Sequence, residues 1–84
     1  MDWSVIIAIV LDLLKDCFDD NDPAALTKRL QNPGIPERWA MRRALIEHGI
    51  RGKALRDAVK EGMEMLRDDP TLAEDLVAAA SEEA

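Results

Sequence analysis

Apolar side chains along this chain recur at spacings of three and four, interrupted by proline and glycine. No stretch shows the strict alternation or β-branched enrichment of a strand. The pattern predicts a first helix from about Trp3 to Phe18, capped by Asp2 or Ser4 and ending in the acidic run Asp19, Asp20, Asn21, Asp22. Pro23, with Asp22 as its cap, opens a short second helix over about 23–31. Asn32-Pro33-Gly34 makes a turn, Pro36 starts a third helix reaching about His48, and Gly49 stops it in a left-handed conformation. A fourth helix is expected from about Gly52 to Arg67. Asp69-Pro70 repeats the cap-plus-proline start, with Thr71 and Glu74 as an alternative capping box, and opens a fifth helix over about 71–80. The expectation is therefore an all-α fold, a small bundle of four to five helices with short Pro/Gly-marked turns. It forms one domain over 1–80, followed by a frayed acidic tail at 81–84.

Side chains placed at 100° per residue separate the faces of these helices. On the first, Trp3, Ile6, Ile7, Val10, Leu13, Leu14, Cys17 and Phe18 form one broad apolar stripe, opposite Ser4, Asp12, Lys15, Asp16 and Asp19. Val5, Ile9 and Leu11 are left over. Either the helix is central and wrapped by the others, or these three residues meet another chain. The fourth helix lines up Leu55, Ala58, Val59, Met63 (or Gly62) and Leu66, and the fifth Leu72, Leu76, Val77 and Ala80. On the third, Trp39, Arg42, Arg43 and Ile46 oppose Met41, Ala44, Leu45 and His48. Both sides cannot face one small core. We expect Trp39 inside, with Arg42 and Arg43 reaching out from its edges; the alternative buries Met41 and Leu45 and leaves Trp39 exposed between the arginines.

Composition narrows the class. With 84 residues there is room for one core, and the abundance of Ala, Leu, Glu, Arg, Lys and Met suits helices. A single cysteine, Cys17, excludes a disulfide framework and points to a reducing cytoplasm, with the thiol expected as a small buried hydrophobe. The apolar run Val5 to Leu11 has no basic residue ahead of it and is far shorter than the roughly 20 residues that span a bilayer, so neither a signal peptide nor a membrane segment is expected.

The net charge of −6 conceals a change of sign along the chain. Residues 1–34 and 61–84 are acidic, whereas residues 35–60 carry Arg38, Arg42, Arg43, Arg51, Lys53, Arg56 and Lys60 against Glu37, Glu47 and Asp57. The simplest expectation is that this basic middle pairs with the acidic flanks or is solvated; the alternative is a patch for an acidic partner. Residues 44–58, with Gly49 at a turn, Ile50 after it and Leu55 inside the next helix, resemble the general helix-turn-helix motif. That resemblance implies a duplex reader with Arg51, Lys53 and Arg56 near phosphates or base edges.

Chemistry is sparse. The lone His48 and lone Cys17 lie on separate predicted helices and do not make a zinc set; His48 suits a helix C-terminus. The acidic run from Asp16 to Asp22 lacks the glycine and closing glutamate of a calcium loop. Neither Ser4 nor Ser81 sits in a nucleophile elbow, and no phosphate-binding glycine loop occurs. No enzyme, metal or cofactor is expected. The leading expectation is a non-enzymatic interaction module, a homo-oligomer or the partner of another protein, self-associating through Val5, Ile9 and Leu11. Trp39, Arg42, Arg43, Arg51, Lys53 and Arg56 form a candidate partner or nucleic-acid face. A nucleic-acid-binding regulator using residues 44–60 is the second reading. A third is an acidic nucleic-acid mimic using Asp68, Asp69, Glu74, Asp75, Glu82 and Glu83.

Overall fold

Five helices occupy the residues described by the computed structural model, 2–18 and 22–82, and no strand is present among them. They are α1 (Trp3–Phe18), α2 (Pro23–Gln31), α3 (Ile35–Glu47), α4 (Gly52–Asp68) and α5 (Pro70–Glu82). α1 packs mainly on α3 and to a lesser extent on α5; α4 flanks α3, and α2 rests on α5. No helix of the described residues is long and apolar enough to cross a membrane.

The ends of the helices follow from local hydrogen bonding. Asp2 Oδ1 accepts from the Ser4 N–H at 3.0 Å, and Asp22 Oδ1 accepts from the Ala24 N–H at 3.2 Å, each satisfying a donor that has no partner within its helix. At α5 it is Asp69, not the Thr71–Glu74 pair, that accepts from the Leu72 N–H at 3.2 Å. α5 continues through Glu82, two residues beyond its expected end. α3 closes in a Schellman motif: the Ile50 N–H donates to Leu45 O and the Gly49 N–H to Ile46 O, both at 3.0 Å. Gly49 has φ +92°, which a side chain would make costly, and Ile50 folds back onto the core beside Leu45.

The core shows how α1 absorbs its apolar excess. Ile6, Ile7, Val10, Leu11 and Leu14 are buried as one broad stripe, since α1 packs on both α3 and α5. Leu11, expected on a self-association surface, is 1% exposed and belongs to the core. Ile9 is half-buried against that core, and only Val5 is plainly exposed. The buried row also rotates toward the C-terminus of α1. Phe18 is half-buried with the Arg29 guanidinium 3.9 Å above its ring, and Cys17, expected inside, is exposed. Asp19, Asp20 and Asn21, which belong to the acidic run considered for calcium, lie outside the described residues, as do Glu83 and Ala84 of the expected tail.

Two further positions shape the packing. Gly62 lies where α4 meets Trp3, and a Cβ there would come within 2.9 Å of Trp3 Cζ3 and 3.0 Å of Met41 Cε. Gly62→Ile is therefore expected to displace the indole and lower stability by about 2 kcal/mol, read as a fall in the urea midpoint at unchanged m-value. Glu37, on the first turn of α3, is 4% exposed, and its Oε2 has no hydrogen-bond partner among the described residues. The helix dipole favours a negative charge there by roughly 0.3–1 kcal/mol, less than the roughly 1–3 kcal/mol that an unsatisfied buried polar atom costs.

Candidate functional site

The face of α3 that turns away from α1 is set by its inner row. Glu37, Ala40, Met41, Ala44 and Leu45 are buried, which fills the space facing the core. Trp39, expected inside, is therefore forced outward and is 52% exposed, with Ile35 beside it at 86%. The physical reason is volume: Met41 and Leu45 occupy the space against α1, and an indole cannot share it. Ile35, Arg38, Trp39 and Arg42 follow one another at helical spacing along this outer face, and Ile46 continues the line as an exposed residue one turn on.

α4 runs beside that face. Its inner residues Ala58, Val59, Gly62, Met63 and Leu66 are buried. Arg56, Lys60 and Arg67 fall on one edge of the helix and Asp57, Glu61 and Asp68 on the next, so the charges of α4 are sorted by sign. The edge carrying the cations is the one that faces α3. Between the two helices lies a groove of about 500 Å³ lined by Ile35, Trp39, Leu55 and Val59, with Arg38, Arg42 and Arg56 on its walls. It continues into a second hollow of about 620 Å³ that shares Ile35, Arg38 and Arg56 and adds Lys60, Arg67 and a single acid, Glu64.

The five cations of this composite groove are Arg38, Arg42, Arg56, Lys60 and Arg67. Among the described residues none is in an ion pair, the one pair formed being Arg43–Glu47, 3.8 Å apart on the surface of α3. Within the described residues no acid of the flanks forms an ion pair with the basic middle of the chain. Five like charges over an apolar floor leave a concentrated positive potential that an anionic group would relieve.

Comparison with protein-family models, curated proteins and solved structures found no match for this chain. Of the face expected from the sequence, the fold brings together Trp39, Arg42 and Arg56. Arg43 is turned aside into its pair with Glu47, while Arg51 and Lys53 are exposed around the start of α4 and line neither hollow. Arg38 and Lys60, expected only as part of the basic middle, join Trp39, Arg42 and Arg56, while Arg67 was missed together with the floor residues Ile35, Leu55 and Val59. Their spacing was a usable signal: Ile35 and Trp39, Arg38 and Arg42, and Arg56 and Lys60 are each four apart. His48 is exposed at the C-cap of α3, as its place in the sequence suggested.

Proposed function

We propose that this chain is a non-enzymatic protein-interaction module that docks an acidic, apolar-anchored segment of another polypeptide in the groove between α3 and α4. The observation that carries the reading is the exposed Trp39–Ile35 floor enclosed by cations without carboxylate partners. The magnitudes assign different roles to the two components. Covering roughly 100 Å² of exposed indole is worth about 2.5 kcal/mol, whereas each exposed ion pair adds about 0.2–1 kcal/mol. Affinity thus comes from the anchor, and the charges select the partner and speed its approach.

A nucleic-acid reading also has support, from Arg51, Lys53 and Arg56 exposed around a helix start after a glycine turn. The apolar floor favours the peptide, because a sugar–phosphate surface offers no complement to Ile35 and Leu55. The test is titration of the full chain, with Trp3→Phe so that Trp39 alone reports, against a synthetic amphipathic helix bearing leucine on one face and glutamate around it. The expected result is a blue shift of Trp39 emission that saturates with peptide and weakens modestly with salt. The opposite pattern, no response to peptide and duplex binding whose salt slope approaches −4.5 for five neutralised phosphates, would assign the face to nucleic acid.

A further inference from the structure

The outer face of α1 has the composition that the groove requires. Val5, Ile9, Asp12 and Asp16 fall within one arc of about 60° on the helix at 100° per residue, with Asp2 ahead of them at the helix cap. Asp2, Val5, Asp12 and Asp16 are exposed and Ile9 is half-buried, so the row reads as an apolar pair with a carboxylate before it and two after it. Lys15 lies off this arc, and no ion pair among the described residues engages the three aspartates.

We infer that the occupant of the α3–α4 groove is the outer face of α1 from a second copy of this chain. The inference rests on the groove being a docking site for acidic apolar segments and names the segment. Val5 and Ile9 meet the floor of Ile35 and Trp39, while Asp2, Asp12 and Asp16 face Arg38, Arg42 and Arg56. Charge also determines the mode of pairing. Groove against groove would set five cations against five, and α1 against α1 would oppose carboxylates, so neither surface is self-complementary. The contact joins two different surfaces, and it extends from copy to copy unless a rotation closes it.

The experiment uses two full-length variants, each disabling one surface through exposed residues: Arg42→Glu/Arg56→Glu in the groove and Asp12→Lys/Asp16→Lys on α1. Circular dichroism verifies that both remain helical. Sedimentation at low salt should show the wild type rising above 9.4 kDa with concentration, and the rise should lessen modestly in high salt. Each variant alone should stay at 9.4 kDa, and an equimolar mixture should form a dimer of twice that mass and grow no further, since one intact groove and one intact α1 face remain. A wild type that stays monomeric at all concentrations while still binding the synthetic acidic helix overturns this inference and leaves the docking groove standing. A wild type that binds neither overturns both. Self-association of either variant alone to the wild-type extent overturns the pairing of α1 with the groove.

Discussion

Leu11→Ala should destabilise the fold by about 3 kcal/mol, whereas Val5→Ala should change it by less than about 0.5 kcal/mol. The two residues lie on the same helix, yet Leu11 is 1% exposed and Val5 43%. Removing the Leu11 side chain leaves a void between α1 and its neighbours in addition to the lost transfer free energy. A single small core supplies little reserve, so a loss of this size removes a large share of the total stability. Urea unfolding at several protein concentrations checks both expectations. The Leu11→Ala cost should not depend on concentration, because the contact it removes is within one chain. If Leu11→Ala were harmless in dilute protein and costly only in concentrated protein, Leu11 would belong to an intermolecular surface after all.

Trp39→Ala should weaken capture of the acidic helix by about thirtyfold, corresponding to roughly 2 kcal/mol, and change folding stability by less than about 1 kcal/mol. The indole is half-exposed and Met41 and Leu45 hold the core beneath it, so its loss opens no buried void. Arg43→Ala is the matched control on the same helix. Arg43 lines neither hollow and is paired with Glu47, so less than a twofold change in affinity is expected. Isothermal titration for binding and thermal melts for folding separate the two effects. Equal losses from Trp39→Ala and Arg43→Ala would mean that the helix attracts its partner by general charge and that the groove has no special part.

The two results bear on the same structural fact: side chains that cannot all be buried sort themselves by which neighbours exist. On α1 the apolar excess was plain in the sequence, but its fate was not, because burial depended on two neighbours, α3 and α5, both packing on it. On α3 both faces were apolar enough to be inner. The presence of α1 on one side decided for Met41 and Leu45 and against Trp39, a choice that helical periodicity within one segment does not contain. Cys17 misled for a related reason, since it continues the apolar row of α1 past the point where the buried face has rotated toward Leu14 and Phe18.

Local chemistry by itself determined the five helices and nearly all their ends. Proline and aspartate at the starts and glycine at the close of α3 act through hydrogen bonds and backbone conformations spanning only a few residues, so they are legible without any tertiary contact. The all-α class and the basic middle of the chain follow from the same short-range information. Only the tertiary structure decided that Arg38 and Arg42 face Arg56, Lys60 and Arg67 across an apolar floor, and that Leu11 lies inside while Trp39 lies out. A groove is a relation between two helices, and its members become neighbours only once competition for a single small core has fixed which face each helix turns inward.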